Sequence, residues 1–546
     1  MTSVASRVEL TDGHDPQSPK PKLDHSFDIR GVLVFLGVMA CGLGFTAFSI
    51  WSDLRESGAP VTTYLPFVLL GVALLIALGF EFVNGFHDTA NAVATVIYTH
   101  SLPANVAVVW SGVWNFLGVL ASSGAVAFSI VSLLPVELIL QVGSSAGFAM
   151  VFALLIAAII WNLGTWWLGL PASSSHTLIG SIIGVGIANA LMRGRDGTTG
   201  VDWGKAVEIG YSLLFSPVVG FIGAALLLLT MKLLARKPEL YQEPKGQNPP
   251  PWWIRGLLVV TCTGVSFAHG SNDGQKGMGL IMLILIGTVP TSYALNRALP
   301  ASHIAAFTSA SEAASKVVEG KAAGYRVLGD PRPAVTQFIS RHELNEGTFP
   351  SLAVLMRDIA KEIQTYGSIA KIPFAAVGNT RNDIYLVSEA LRFLVKDKDA
   401  ELTESDKKIL KNYKEQIDQA TKFIPTWVKI AVAIALGLGT MVGWKRIVIT
   451  VGEKIGKQHL TYGQGAAAEL VAMSTIAAAD MYGLPVSTTQ VLSSGVAGTM
   501  AANGSGVQMG TIRNLLMAWV LTLPCAILLS GGLYFTLNLI LGLSGR

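Results

Sequence analysis

Charged residues are scarce in this 546-residue chain: Asp, Glu, Lys and Arg together make up 14% of it, whereas about 25% is usual in a soluble globular domain. Cysteine is scarcer still, with three residues that lie far apart in apolar segments, which excludes a disulfide framework and a CxxC metal or redox motif. The net charge is only +4 without a long basic block, so nothing indicates binding to nucleic acid. Hydrophobic residues instead make up 51% of the sequence, which is typical of a membrane protein.

Apolar stretches long enough to cross a bilayer recur along nearly the whole chain, since a hydrocarbon core about 30 Å thick requires roughly 20 apolar residues per helix. They predict an all-α polytopic membrane protein with about 12 transmembrane helices, some of them broken helices or hairpins at the midplane because Gly, Pro and polar clusters interrupt them. The predicted divisions are a polar tail at 1–28, an additional N-terminal transmembrane helix at 29–60, a first transmembrane repeat at 61–235, a loop at 236–252 that the positive-inside rule places in the cytoplasm, a second repeat at 253–299 and 425–546, and a soluble helical insertion at 300–424.

The insertion at 300–424 holds close to half of all charged side chains, which predicts that it is exposed to water. Apolar residues within it are spaced as on one face of a helix, namely Val387, Leu391 and Leu394, then Ile409, Tyr413 and Ile417. This spacing predicts two or three amphipathic helices. A role in packing or assembly is favoured over a regulatory one.

Two pairs of segments resemble each other and indicate a duplicated core. The first pair is 84–91 (NGFHDTAN) and 269–276 (HGSNDGQK), and the second is 170–176 (LPASSSH) and 484–490 (LPVSTTQ). Asp88 and Ser173 are 85 positions apart, whereas Asp273 and Ser487 are 214 apart, and the difference of 129 is nearly the length of the insertion. Two related halves with interrupted apolar segments at matching positions indicate a secondary transporter with its site near the bilayer midplane.

The first pair of segments places an aspartate at membrane depth in each half. Such an aspartate costs about 2.5 to 3.5 kcal/mol on insertion scales, so intramembrane carboxylates normally pair, bind ions or carry protons. The neighbouring Gly85 and Gly270 predict a break in each helix that leaves polar groups facing a cavity. A site for a coupling cation or proton is therefore predicted at Asp88, Asp273, Asn84 and His87. The alternative is that each aspartate caps a helix end or pairs with the basic side chain beside it.

The second pair of segments begins new apolar helices with Pro followed by Ser or Thr, which a helix N-terminus accepts readily. Free backbone N–H groups, the positive end of the helix dipole and adjacent hydroxyls bind a tetrahedral oxyanion. Phosphate and sulfate both fit. The predicted anion ligands are Ser173, Ser174, Ser175, Ser487, Thr488 and Thr489, and the alternative is plain N-capping or helix packing.

Few fixed positive side chains accompany these motifs, so a multiply charged anion would enter a low dielectric with incomplete compensation. A co-bound cation solves this problem, which makes coupled symport physically natural. Glu469, in the apolar stretch before the second hydroxyl motif, is a further candidate for coupling. The alternative for Glu469 is a glutamate at the edge of a loop.

At these residues the sequence resembles the Pit family of inorganic phosphate transporters, in particular the bacterial low-affinity type. The match is carried by 84–95 (NGFHDTANAVAT), 161–165 (WNLGT), 170–177 (LPASSSHT), 269–277 (HGSNDGQKG) and 485–489 (PVSTT), and it covers residues 60–300 and 425–540. The resemblance implies two inverted-topology repeats with phosphate between them, no enzymatic activity and no bound cofactor. It also implies a multi-pass protein of the bacterial inner (plasma) membrane, and often a homodimer.

In bacterial members of this type, the resemblance implies symport of H⁺ with a neutral complex of phosphate and a divalent metal such as Mg²⁺, while other branches use Na⁺. It makes Asn91 and Asn272 ligands of cation and phosphate, together with the aspartates and hydroxyls named above. Gln490 departs from the pattern, because such sequences commonly have His there to match His176. Three rival functions stay open: a sulfate or Na⁺-coupled permease, a membrane-embedded enzyme that handles phosphate, and a receptor that signals through the insertion.

Overall fold

The computed structural model describes residues 20–21, 23, 29–57, 65–88, 90–134, 136–140, 144–300, 302–322 and 327–541. Within these ranges the chain forms 21 α-helices and no β-strand. Nearly all of the predicted polar tail lies outside the described residues.

The chain divides into two sets of membrane helices with a helical insertion between the parts of the second set. The first set is α1 (Ile29–Ser57), α2 (Leu65–Asp88), α3 (Ala90–Tyr98), α4 (Ala104–Ala121), α5 (Ala125–Val131), α6 (Val136–Leu140), α7 (Ser145–Trp167), α8 (Ser174–Met192) and α9 (Trp203–Leu234). The second begins with α10 (Trp252–Thr288) and α11 (Pro290–Tyr293). The insertion contains α12 (Ser302–Lys321), α13 (Arg332–Arg341), α14 (Thr348–Tyr366), α15 (Phe374–Leu394) and α16 (Glu404–Thr421). The second set continues with α17 (Thr426–Thr440), α18 (Lys445–Ile449), α19 (Tyr462–Met481), α20 (Thr488–Asn503) and α21 (Met509–Ile540).

Seven helical stretches in the described part of the chain are long and apolar enough to cross a membrane, or eight if the bent pair α16 and α17 is one span. The seven are Ile29–Glu56, Leu65–Tyr98, Ala104–Ala121, Ser145–Trp167, Ser174–Met192, Trp203–Leu234 and Met509–Ile540. The helices α10, α19 and α20 do not meet this test, although α10 has 37 residues. Helix α20 has only 16 residues, and α10 and α19 are not apolar enough over a membrane-spanning length, so the number of about 12 spans stays a prediction.

The helices of the two halves pack in a reciprocal pattern. Helix α2 packs on α17 as α10 packs on α4, α8 packs on α21 as α20 packs on α9, and α7 packs on α21 as α19 packs on α9. Each partner in the first half thus has a counterpart at the matching place of the second half, which is the packing expected of a duplicated core. The inverted orientation of the two halves stays a prediction.

The two motif glycines serve close helix packing, and the predicted helix break at Gly270 is wrong. Helix α10 continues without interruption through Gly270 and Asp273, whereas α2 ends at Asp88. A Cβ added at Gly85 would clash with the carbonyl oxygen of Leu436 in α17, and one added at Gly270 would clash with that of Asn115 in α4. Glycine is needed here because the two backbones approach so closely.

Helix α1 lies in the segment where the sequence predicts an additional N-terminal transmembrane helix, and it packs against α17. Gly42 contacts the side chain of Ile434 in α17. Near the other end, the Asp53 carboxylate accepts hydrogen bonds from the Tyr293 hydroxyl (2.6 Å) and the Trp427 indole (3.1 Å). These polar contacts fix the end of α1 to both sides of the insertion.

The insertion has its own hydrophobic core and contains five helices, where the sequence predicted two or three. Apolar side chains from all five meet in it, among them Phe307, Phe338, Leu391 and Tyr413. An ion pair joins the insertion to the first repeat, because the guanidinium of Arg392 lies 2.7 Å from the carboxylate of Asp202 at the start of α9.

Candidate functional site

The aspartates of the two repeats lie side by side in the centre of the protein. Asp88, His269 and Asp273 are all buried, and each offers one ligand atom in a group whose atoms lie within 4.8 Å of one another. Residues 185 positions apart in sequence therefore share one polar centre, as the motif repeat predicts. Carboxylate oxygens and an imidazole nitrogen are ligands that a small cation accepts.

Hydroxyl groups from both hydroxyl motifs bind the same aspartate. Thr489 Oγ1 donates to Asp88 Oδ1 at 2.8 Å, and Ser174 Oγ donates to Asp88 Oδ2. Ser174 is also 2.8 Å from Asn84 Oδ1, so it lies between two groups of the first motif. His87 Nδ1 is 2.7 Å from Asp88 Oδ1, and its Nε2 is 3.1 Å from Thr165 Oγ1. The predicted alternative, an aspartate paired with the adjacent histidine, is thus present together with the hydroxyl contacts.

Asp273 is held by a lysine in place of hydroxyls. Lys276 Nζ lies 2.7 Å from Asp273 Oδ1, one turn along α10, and His269 Nε2 lies 3.5 Å from Asp273 Oδ2. The same ammonium group donates to Ser175 Oγ at 2.5 Å, and Ser175 in turn donates to the carbonyl of Val486 at 2.7 Å. Lys276 is completely buried, so it links the aspartate of the second repeat to both hydroxyl segments.

The hydroxyl segments form the N-termini of α8 and α20, as predicted. Ser173 and Ser487 are the N-caps, since each side chain accepts a hydrogen bond from the backbone N–H three residues on, at 3.2 Å. Their oxygens serve the helix itself, whereas Ser174, Ser175 and Thr489 reach the central side chains. Thr488 Oγ1 is buried and has no hydrogen-bond partner among the described residues, so it is available to a ligand.

Asn272 positions the chain before α20. Its amide nitrogen donates to the carbonyl of Leu484 at 3.2 Å, and the backbone N–H of Val486 donates to its side-chain oxygen at 3.5 Å. The role that the sequence suggested for Asn272 as a direct ligand therefore competes with this structural one. The side chain of Asn91 lies outside the described part of the structure.

Glu469 lies in a separate buried polar group. It belongs to α19, is fully buried, and accepts hydrogen bonds from Thr95 and Thr261, so the alternative of a glutamate at a loop edge is wrong. Thr261 precedes Asp273 by 12 positions on α10, which corresponds to about 18 Å along the helix. The structure therefore does not bring Glu469 to the two aspartates.

Glu81 is the buried acid that the sequence analysis missed. It is fully buried in α2, its Oε1 has no hydrogen-bond partner among the described residues, and Asn84 Nδ2 lies 3.4 Å from its Oε2. A Cβ added at Gly277, the residue after Lys276, would clash with its side chain. The available signal was its spacing: seven residues before Asp88 places it two turns away on the same helix face.

The arrangement can hold an anion and a cation next to each other. The N-termini of α8 and α20 meet at the contact between Ser175 and Val486, and both present their positive dipole ends to the centre. Asp88 and Asp273 lie beside them as negative groups, with Lys276 as the one buried lysine of the group. A buried site made of two helix ends and two acids from related halves is the arrangement expected of a membrane transport protein.

Comparison with known proteins identifies the group to which this transporter belongs. The model of the phosphate transporter family matches residues 84–530. The low-affinity inorganic phosphate transporter PitA of Escherichia coli K12 is 43% identical over 488 residues, which cover 86% of this chain and 96% of PitA. A probable low-affinity inorganic phosphate transporter of Bacillus subtilis is 29% identical, with 87% of this chain and 99% of that protein covered. A solved sodium-dependent phosphate transporter aligns with 20% identity over 87% of this chain and all of its own, with a TM-score of 0.48.

The chain belongs to the phosphate transporter family, and it is a multi-pass protein of the bacterial inner membrane.

Proposed function

We propose that this protein carries inorganic phosphate across the membrane by symport with a cation. The observation that supports the proposal most directly is the meeting of Ser174 and Thr489, one from each hydroxyl motif, on the carboxylate of Asp88. A site assembled from both halves changes its access when the halves move relative to each other, as alternating access requires. The names of the relatives support phosphate as the substrate.

The phosphate would lie at the N-termini of α8 and α20, next to Thr488, Ser175 and Lys276. Backbone N–H groups and one ammonium group supply donors only, and the hydroxyls can donate as well, which suits an anion with several acceptor oxygens. Sulfate has the same shape and is the nearest rival. Competition of labelled phosphate uptake by sulfate distinguishes the two substrates.

The coupling cation would lie between Asp88, His269 and Asp273. It reduces the repulsion between the aspartates and the incoming anion in a low dielectric. We propose H⁺ together with a neutral divalent-metal phosphate complex, with Mg²⁺ as one such metal, and Na⁺ as the alternative. We also propose that the protein works as a homodimer, which cross-linking in native membranes tests.

Uptake by purified protein in liposomes tests the function. We expect phosphate flux without chemical turnover, driven by an imposed proton gradient and dependent on Mg²⁺. Flux that follows a Na⁺ gradient alone would replace H⁺ by Na⁺, turnover without flux would support the enzyme, and absence of phosphate flux would refute the proposal.

Asp88→Asn tests the site within the same assay. The amide keeps the shape of the aspartate side chain but removes the negative charge, which two hydroxyls and His87 contact. A hydrogen bond to a charged group contributes about 1.5 to 3 kcal/mol to stability. We expect uptake to fall at least tenfold, since about 1.4 kcal/mol corresponds to a factor of ten. The matched control is Asp358→Asn, an exposed aspartate of α14 in the insertion. Equal uptake by both variants would remove Asp88 from the mechanism.

A further inference from the structure

A cavity of about 470 Å³ lies between the insertion and the transmembrane helices. One wall is the face of α15 that carries Arg381, Tyr385 and Arg392, and the other is formed by α5, the start of α9 and the second half of α10. The volume falls within the range of about 300 to 1,000 Å³ that small-molecule sites occupy. Exposed Lys396 and Tyr482 line its rim and leave it open to the surroundings.

Arg381 is the unusual side chain of this cavity. It is 7% exposed, and among the described residues no carboxylate lies within ion-pair distance of it. Its Nη1 donates a hydrogen bond to Asn382 Oδ1 at 3.2 Å, and its Cζ lies 5.2 Å from the centre of the Tyr385 ring. A buried guanidinium normally has an acidic partner, because burial of an unpaired charge is costly. Burial accordingly lowers the pKa of Arg381.

The rest of the lining favours an anion. Four further cations face the cavity, and of these Lys205, Arg392 and Lys422 are paired with carboxylates. Two of these carboxylates, Glu208 and Glu389, also line the cavity. Lys396 has no carboxylate partner in the described part of the chain. Ser129 Oγ, on the opposite wall, is buried without a hydrogen-bond partner among the described residues. Together with Arg381, the lining therefore carries five cations and two carboxylates, so cations predominate around the space.

The cavity borders the candidate transport site. Its wall includes Gly279, three residues after Lys276 on α10, which corresponds to about 4.5 Å along the helix. It also includes Gly483, four residues before Ser487 at the N-terminus of α20. An anion in the cavity would thus be close to the helix end where the transported anion is proposed to bind.

We propose that this cavity is a second anion site, which binds a phosphate group through Arg381 and Lys396 before or after its passage through the transmembrane site. The inference rests on the proposed function for its identification of inorganic phosphate as the ligand. The insertion then supplies the cations of a vestibule on its side of the membrane, which is a function beyond the packing role expected from the sequence. A guanidinium fork matches phosphate oxygens in geometry and charge.

Binding measured without transport tests the site. Full-length protein carrying Asp88→Asn, in lipid-free detergent, is titrated with inorganic phosphate and followed by line broadening in phosphorus NMR. We expect binding that weakens about tenfold or more with Arg381→Gln, and two- to threefold with Lys396→Gln, because the exposed ammonium contributes less. Arg381→Lys, which keeps the charge, should fall between wild type and Arg381→Gln.

The control is Lys361→Gln, which removes an exposed charge from α14 of the same insertion, outside the cavity lining. Phosphate binding that is the same in the Arg381, Lys396 and Lys361 variants would overturn the proposal. Lys396→Gln keeps the test valid if Arg381→Gln does not fold, since Lys396 is exposed. Uptake by the protein without the Asp88 change reports separately on the proposed function, and we expect Arg381→Gln to raise its KM about tenfold while kcat changes less than twofold.

A phospholipid headgroup offers the same phosphate chemistry. Liposomes of phosphatidylcholine and liposomes that also contain phosphatidylglycerol distinguish the two sources. A higher KM for uptake in Arg381→Gln in liposomes of both compositions supports inorganic phosphate as the ligand. A change in KM that occurs only in liposomes with the anionic lipid, with no broadening of the phosphate signal in detergent, would overturn the assignment to inorganic phosphate.

Discussion

The ion pair between Lys276 and Asp273 offers a test that separates stability from transport. Both side chains are completely buried, and their charged atoms are 2.7 Å apart. Lys276→Met removes one partner and leaves the Asp273 carboxylate with His269 at 3.5 Å as its nearest basic group. Breaking a buried pair in this way costs about 3 to 5 kcal/mol, because an uncompensated charge remains in a low dielectric.

The double variant Lys276→Met/Asp273→Asn should recover most of this loss. Replacing both members of a buried pair by well-packed hydrophobic groups of similar volume is often neutral or stabilising. The amide at position 273 adds the cost of a buried neutral polar group, which is smaller than that of an unpaired charge. We therefore expect thermal unfolding of the purified protein, followed by tryptophan fluorescence, to show a large loss for Lys276→Met alone and a small one for the double variant. Phosphate uptake should be lost in both, since neither retains the charges of the site.

A surface pair with the same spacing provides the control. Lys407 lies three residues after Glu404 on α16, as Lys276 does after Asp273, with 2.8 Å between the charged atoms but with Glu404 largely exposed. Lys407→Met should change stability by less than about 1 kcal/mol. The reasoning would be refuted if Lys276→Met were as stable as Lys407→Met, or if the double variant were no more stable than Lys276→Met.

Three further predictions concern other parts of the molecule. Gly85→Ala should push α2 away from α17, destabilise the protein by about 1 to 3 kcal/mol and abolish uptake. Gly79→Ala on the same helix should be neutral, because no atom lies within 4 Å of the added Cβ. Equal behaviour of the two variants in unfolding and uptake assays would contradict the packing argument. Glu469→Gln should retain the fold, because the threonine hydroxyls that donate to the carboxylate can also accept a hydrogen bond from an amide. The substitution should alter the pH dependence of uptake. An unchanged pH profile would exclude Glu469 from proton coupling. Burial disfavours the charged form of Asp418, but Lys422 and a second lysine outweigh it and lower the Asp418 pKa, so the stability that Asp418 contributes should be lost as the pH falls below about 4. Hydrogen exchange of the backbone amides of α16 should become faster in the wild type as the pH falls through this range, after correction for the intrinsic exchange rate. In Asp418→Asn the corrected exchange rate should not change with pH in this way.

The sequence predicted the convergence of the repeated motifs because that prediction needed no detailed geometry. Two aspartates within matching strings have to occupy matching places if the core is duplicated, and the structure brings Asp88 and Asp273 into one group. The helix starts at Ser173 and Ser487 followed from local chain chemistry, since Pro followed by Ser favours a helix start. The N-caps formed by these two serines are the alternative to the predicted role as anion ligands. Local rules and symmetry thus carried most of the correct predictions.

Tertiary packing decided the features that sequence patterns could not predict. Gly270 could permit either a helix break or a close approach, and only the position of the Asn115 carbonyl on α4 shows that it permits the approach. Glu81 is fully buried because α10 lies against it, although its flanking residues resemble those of any apolar helix. The five helices of the insertion share a core whose members are distant in sequence, so spacing within one segment underestimated their number.

The two halves contribute unequally to the site, and this inequality bears on the coupling ion. At the position where the second repeat has Lys276, the first repeat has Asn91, so only Asp273 has a lysine to balance its charge. Counted over Asp88, Asp273 and Lys276 in their ionised forms, the centre carries a net charge of −1. A monovalent cation such as H⁺ bound there would neutralise it. A neutral complex of a divalent metal with the phosphate dianion would leave the charge of the centre at −1. The centre would therefore become neutral if one H⁺ entered together with the complex, which is the stoichiometry expected if the proposed symport couples one proton to one complex.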